Sequence, residues 1–235
     1  MTARGLFVVG TDTGVGKTLV AAGLLRAFAR RRARVVGMKP VAAGAIPHPG
    51  IAGDGWASED ALALRAASTI TVPAALDNPV LLPEPLSPHL AAERAGRRIE
   101  LDALIASYHA LAAQADVVVV EGAGGLLVPL SDTATGGDLA VALGLPLLLV
   151  VGMRLGCLNH ALLTAEAIAA RGLVLAGWVA NRIDPDMLCG DENVATLRRR
   201  LPAPLWADVP HRPDGAPAAR PLPLDETQID DFLAR

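Results

Sequence analysis

Gly10-Thr11-Asp12-Thr13-Gly14-Val15-Gly16-Lys17-Thr18 is the stretch on which the fold turns. It follows an apolar run, Leu6 to Val9, and leads into an Ala/Leu-rich segment of helical character, Leu19 to Arg32. Strand, glycine-rich loop, then Lys-Thr opening a helix is the context of a phosphate-binding P-loop. Glycines let backbone N–H groups approach phosphate oxygens closely. The first helical turn adds unpaired donors and a partial positive charge. In this reading Lys17 reaches the β- and γ-phosphates and the Thr18 hydroxyl sits on Mg²⁺. The usual spacing wants glycine at position 11, where this chain has Thr11, with Gly10 one place earlier.

Lysine usage points to a second residue. Of the 21 basic residues only two are lysine, Lys17 and Lys39; the others are arginine. Arginine cannot replace lysine where a compact, mobile ammonium is needed. That singles out Lys39, which ends a second apolar run, Arg34 to Met38, and precedes Pro40. The expected place is the carboxyl end of a strand next to the P-loop strand, the edge of an open α/β sheet where ligands bind.

Working outward, Gly/Pro-rich residues 44–57 read as a loop, and Ser58 as the N-cap of a helix over Ala61 to Ala67. Asp60 falls in its first turn. An acid there favours the dipole of any helix, and from this sheet edge it is also placed to reach Mg²⁺. Five prolines between Pro73 and Pro88 leave room for at most one short edge strand. Residues 101–115 have helical apolar spacing, and His89 and His109 lack partners at metal-binding spacing.

Val117-Val118-Val119-Val120 is the strongest strand pattern, buried on both faces as in a central parallel strand. It ends in Glu121-Gly122-Ala123-Gly124-Gly125. A carboxylate at such a strand tip suits Mg²⁺ coordination beside a phosphate loop. Further strands are expected at Pro146–Val151, Val174–Ala180 and Pro204–Val209, with a helix over His160 to Arg171 capped by Asn159. Asn181-Arg182 and Pro210-His211-Arg212 lie at two strand tips, where an amide can read a purine edge. Alternating strands and helices predict a single α/β domain over residues 1–235. Its sheet is mostly parallel, six- to seven-stranded, with helices on both faces. The tail from about 213 to 235 is Pro/Ala-rich with an amphipathic turn near Ile229 to Leu233.

Composition narrows the partners. Net charge is −3 and aromatics are 3%, which argues against nucleic acid. The longest apolar stretch, Leu143 to Val151, is too short for a bilayer, and Met1 to Arg4 runs directly into the first strand. Cys157 and Cys189 form no metal or redox spacing. A cytoplasmic protein with no membrane partner is expected.

Several stretches together resemble the ATP-dependent dethiobiotin synthetases, P-loop NTPases of biotin biosynthesis. They are residues 10–18, Lys39-Pro40-Val41-Ala42, Ser58-x-Asp60-Ala61, Glu84-Pro85-x-Ser87-Pro88-His89, Glu121 to Gly125, and Leu155-Gly156-Cys157-x-Asn159-His160. The resemblance covers about residues 5–212. It implies a ligase that carboxylates 7,8-diaminopelargonic acid with CO₂ or bicarbonate, phosphorylates the carbamate with ATP and closes a ureido ring. By resemblance, Lys39 and Lys17 are catalytic, with Thr13 beside them. Thr18, Asp60 and Glu121 hold Mg²⁺. ATP contacts Gly14, Val15, Gly16, Lys17, Thr18 and Leu19, then Asp60, Glu121, Gly122, Ala123 and Gly124, with Asn181, Arg182, Pro210, His211 and Arg212 around adenine. Substrate contacts are Thr13, Lys39, Ala43 and, across a homodimer interface, Gly156, Cys157, Leu158 and Asn159. Two positions depart from the family: Ala43 where serine is frequent, and Gly14 where some members carry glutamate.

Two alternatives share the loop style. A dimeric switch ATPase of the chromosome-partition or septum-placement kind typically carries a lysine where this chain has Asp12. A cobyrinate-type amide synthetase usually adds a glutaminase domain, for which 235 residues leave no room.

Overall fold

The computed structural model describes residues 3–49, 55–211 and 221–234. The apolar run before the loop is strand β1 (Arg4–Gly10), and Lys17 opens helix α1 (Lys17–Ala29). Next come β2 (Val35–Met38), β3 (Val41–Ala43), β4 (Ile46–Pro47) and β5 (Trp56–Ala57). Helices α2 (Glu59–Ala67) and α3 (Ala74–Asp77) precede β6 (Val80–Leu82), then α4 (Pro88–Arg94) and α5 (Leu101–Ala112). The second half alternates: β7 (Val117–Gly125), α6 (Gly136–Leu143), β8 (Leu147–Gly152), α7 (Cys157–Ala170), β9 (Leu175–Asn181), α8 (Gly190–Arg200), β10 (Leu205–Val209) and α9 (Glu226–Ala234).

Six strands form one parallel sheet in the order β10-β9-β8-β1-β7-β2. Side chains alternate along each strand, so β1 feeds two cores. Leu6 and Val8 pack in the layer of α1, α2 and α9; Phe7 and Val9 pack in the layer of α5, α6 and α7. The expectation of a six- to seven-stranded parallel sheet with helices on both faces holds, with six strands.

The strand order corrects one expectation. β2 does not adjoin the P-loop strand, because β7 lies between them. Val117–Val120 is β-branched and buried at every position, and a strand sheltered on both edges as well as both faces suits that run. Pro40, with no N–H, ends β2, and the chain continues as β3, which pairs with β6 in a separate two-stranded sheet.

Other local readings shift. Residues 44–57 are not wholly loop, since β4 and β5 form a short antiparallel pair; residues 50–54 lie outside the described residues. β7 does not stop at Val120 but continues through Glu121 to Gly125, Val8 pairing with Glu121 and Gly10 with Gly125. α7 starts at Cys157, not His160, and its N-cap is Gly156 at φ 96° rather than Asn159. Glycine tolerates that left-handed backbone, which asparagine capping does not require. The amphipathic turn near Ile229 is a full helix, α9, whose Ile229, Phe232 and Leu233 pack with Phe28 and Trp206. No helix among the described residues is long and apolar enough to cross a membrane.

Candidate functional site

The P-loop joins β1 to α1, and its geometry depends on two glycines with positive φ, Gly14 at 75° and Gly16 at 89°. Gly16 is the N-cap of α1 and offers no side-chain cap, so the first-turn N–H groups of α1 face outward as an anion cradle. Asn181, at the end of β9, braces the loop from beneath. Its Nδ2 donates to the Val15 carbonyl at 2.8 Å, and a Cβ on Gly16 would stand 2.2 Å from that nitrogen. Lys17 is buried, and its ammonium donates to the Asp12 carbonyl at 3.0 Å. Burial, then the neighbouring Lys39 ammonium, lowers its pKa from 10.5 to about 8.

Register brings the second lysine to the first. Met38 of β2 pairs with Val120 of β7, so the residues that follow, Lys39 and Glu121, emerge side by side. Lys39 Nζ lies 2.6 Å from Glu121 Oε1, 2.7 Å from Asp60 Oδ2 and 3.4 Å from the Gly122 carbonyl. Ser58 accepts a hydrogen bond from Ala61 N, and this N-cap sets α2 so that Asp60 in its first turn faces the P-loop. Thr18 Oγ1 lies 2.8 Å from both Asp60 Oδ1 and Glu121 Oε1; its one proton can bridge to either. Burial would depress the Lys39 ammonium, and the two carboxylates outweigh that and hold its pKa up. Burial likewise raises Glu121, against the pull of Lys39, whereas for Asp60 burial is outweighed by Lys39 and the pKa falls.

These residues line a cavity of about 740 Å³, with Thr13, Gly14, Gly16, Ala43, Ala123 and Gly124 on its walls. Glu121 is 1% exposed, yet its Oε2 has no hydrogen-bond partner. An orphaned carboxylate oxygen is costly unless a ligand engages it. With the Thr18 hydroxyl and Asp60 beside it, the donor set is all oxygen, as Mg²⁺ prefers, so these residues fit the ion. Thr18, Asp60 and Glu121 would hold it, and phosphate or water would complete the shell.

Other expected site residues lie apart. Gly156, Cys157, Leu158 and Asn159 begin α7 and do not line this cavity. Cys157 is buried, and burial raises its thiol pKa. Leu19 sits in α1 behind the loop. Arg182 is held by Asp208 at 2.8 Å on both arms and by Asp191 at 2.5 Å, which raises its pKa. His211 Nδ1 lies 3.1 Å from the Arg182 carbonyl, and the two border a small cavity of about 100 Å³ with Met153 and Met187. Pro210 is exposed at the end of β10. Arg212 lies outside the described residues.

Sequence reasoning missed three supporting residues. Arg154 Nη2 pairs with Asp12 Oδ2 at 2.6 Å. Asn78 Nδ2 donates to the Lys39 carbonyl at 2.7 Å, and the Asp77 carbonyl accepts from Lys39 N at 2.7 Å. Buried Asp77 and Asn78 between two prolines carry no periodic signal; their polarity in an apolar stretch was the only cue.

Comparison with solved structures shows the fold again. A chain of the MinC:MinD cell division protein complex of Aquifex aeolicus is 15% identical with a TM-score of 0.57, over 99% of this chain and 95% of that one. A ParA family ATPase from Chlorobium tepidum TLS is 17% identical, TM-score 0.57, over 100% and 98%. The septum site-determining protein MinD from Pyrococcus horikoshii OT3, complexed with Mg-ADP, is 20% identical, TM-score 0.57, over 98% and 93%. These likenesses displace the expected dethiobiotin synthetase. They fall on the partition and septum-placement ATPases weighed against it, and no finding supports a ligase of biotin biosynthesis. The physical reason is that the P-loop, the second lysine and the acidic pair are parts of a nucleotide site that many chemistries share. The chain is a P-loop NTPase and belongs to the AAA domain family, whose model matches residues 4–219.

Proposed function

We propose that the chain is a Mg²⁺-dependent ATPase of the switch kind, in which ATP in the P-loop cavity controls association between two copies of the chain. The observation that carries the reading is the convergence of Lys17, Lys39, Thr18, Asp60 and Glu121 on one cavity. Two ammonium groups there face the negative charge of a triphosphate, and Thr18, Asp60 and Glu121 supply a Mg²⁺ site. Bound Mg²⁺ would neutralise β/γ-phosphate charge. In hydrolysis, water adds to the γ-phosphorus, the bond to the β-γ bridging oxygen breaks, and ADP departs.

The switch part draws support from the surface beside the loop. Leu127, Leu155 and Leu163 are exposed, Leu155 almost fully at 94%. Leu127 and Leu163 border a second cavity, of about 430 Å³, which Thr11, Asp12 and Thr13 also line. An apolar surface that reaches the phosphate loop suits a second copy that senses the nucleotide. Switch ATPases of this type typically carry a lysine at position 12. Here Asp12 is paired with Arg154, and the second ammonium in the cavity is Lys39, delivered from the end of β2.

The test is phosphate release with ATP and Mg²⁺, alongside sedimentation of the protein in ATP, ADP or no nucleotide. Hydrolysis together with a dimer that needs ATP is the expected result. Phosphate release that depends on a small-molecule acceptor, or one mass in all three states, would overturn the switch reading.

A further inference from the structure

Another large cavity, of about 620 Å³, borders two of the segments that line the nucleotide cavity, α2 and the chain after β2, and shares no lining residue with it. α2 places Asp60 in one and Arg65 in the other. The chain after β2 places Val41 to Ala43 in one and Ala45 in the other. Its walls are mainly apolar, with Trp56, Ala57 and Leu81 among them, and two arginines, Arg65 and Arg97, are its charged groups. Arg97 uses one N–H on the Leu81 carbonyl at 2.9 Å and has no carboxylate partner among the described residues. Trp56 is 47% exposed, a flat apolar face for a ligand body. The volume falls within the usual range of small-molecule sites, about 300–1,000 Å³.

This cavity is wired to Lys39. Arg65 grips the buried Asp77 carboxylate at 2.6 and 2.5 Å. The Asp77 carbonyl accepts from Lys39 N, and Asn78, also on the cavity wall, donates to Lys39 O. Both backbone groups of Lys39 are therefore held by residues at or next to this cavity.

We propose that this cavity is a regulatory site for a small organic carboxylate with an apolar or aromatic body. The carboxylate anchors on Arg97, the body lies against Trp56 and Leu81, and the head competes with Asp77 for Arg65. Loosening Arg65 from Asp77 loosens the backbone that aims Lys39, and so weakens ATP binding. The proposal needs nucleotide binding at the P-loop and does not depend on the switch reading.

The test uses the full chain and 8-anilinonaphthalene-1-sulfonate as a fluorescent probe, with 4-phenylbutanoate and its neutral amide as competitors. One saturable site is expected. The carboxylate should displace the probe and the amide should not, because the arginine recognises charge. Arg97→Gln should weaken probe binding roughly tenfold, the loss of one charge-assisted contact. 4-Phenylbutanoate at a concentration that just fills the wild-type site should raise the Kd for ATP·Mg²⁺ roughly fivefold, and at that same concentration it should raise it much less in Arg97→Gln, whose site is then mostly empty. Arg97 does not line the nucleotide cavity, so unaltered ATP binding by that variant alone reports an intact fold. Probe binding indifferent to Arg97→Gln would overturn the site. An unchanged ATP Kd with the cavity filled would overturn the coupling to Lys39.

Discussion

Lys39, just past the end of β2, lies beside Glu121 of the neighbouring β7; both are buried, with Nζ and Oε1 2.6 Å apart. Each is the other's main compensation in a site that burial makes hostile to charge. Lys39→Met keeps the length of the side chain and removes the ammonium, leaving Glu121 without its partner. Loss of one member of a buried pair costs about 3 kcal/mol. For a chain of this size that lowers Tm by roughly 6–12 °C, readable by calorimetry. Phosphate release should fall about 100-fold or more, since a preorganised cation is lost from the transition state. A variant with wild-type turnover would remove Lys39 from the chemistry.

Lys17 makes two pH predictions of opposite sign. Its pKa falls from 10.5 to about 8 in the folded chain. Between those values the unfolded chain binds more protons than the native one, so the contribution of Lys17 to stability rises with pH from about 8 to 10.5. Phosphate needs the ammonium, so ATP affinity should fall as pH climbs through the same window. Denaturation and nucleotide titrations across it, on wild type and Lys17→Met, separate the two trends. The variant should lack both. A flat ATP affinity in the wild type up to pH 10 would contradict the lowered pKa.

Much of this site is legible in the chain because its parts are local. The P-loop announces itself through one strand, two glycines and a Lys-Thr pair, and Lys39 stands out because arginine serves elsewhere. Glu121 follows a run of four valines, the β-branched pattern of a strand buried on both faces. What stayed hidden depends on neighbours far along the chain. Nothing near β2 says that β7 separates it from β1, and neither Arg154 nor Asn78 names its partner, Asp12 or the Lys39 carbonyl. The activity was illegible for a different reason. A triphosphate cradle with a second lysine serves a ligase and a switch alike, and the motifs describe the cradle.

Glu121→Gln tests the proposed metal site. The substitution keeps the shape, removes the charge and replaces one carboxylate oxygen with an amide N–H₂, which repels a cation. Asp60 and Thr18 remain as oxygen donors, so binding should weaken rather than vanish. The Mg²⁺ concentration for half-maximal phosphate release should rise about tenfold or more. The stability of the metal-free protein should change less than in Lys39→Met, because Lys39 keeps Asp60 at 2.7 Å. An unchanged Mg²⁺ titration would take Glu121 out of the metal site.

Asn181 reaches the P-loop from β9, and its amide holds the Val15 carbonyl at 2.8 Å. Asn181→Ala leaves that carbonyl unpaired and opens space beneath Gly16, where the amide nitrogen fills the position a Cβ would take. One lost buried hydrogen bond costs about 1–2 kcal/mol. The larger effect should fall on the loop, whose left-handed Gly14 and Gly16 need a fixed scaffold to aim their N–H groups. ATP affinity should therefore drop about tenfold, more than the stability loss explains. Gly16→Ala attacks the same contact from above: its φ of 89° is strained for alanine, and the added methyl collides with Asn181. The double variant Gly16→Ala/Asn181→Ala removes the collision and keeps the strain. It should bind ATP better than Gly16→Ala alone, measured by calorimetric titration. A double variant no better than the single one would assign the whole defect to backbone strain at Gly16.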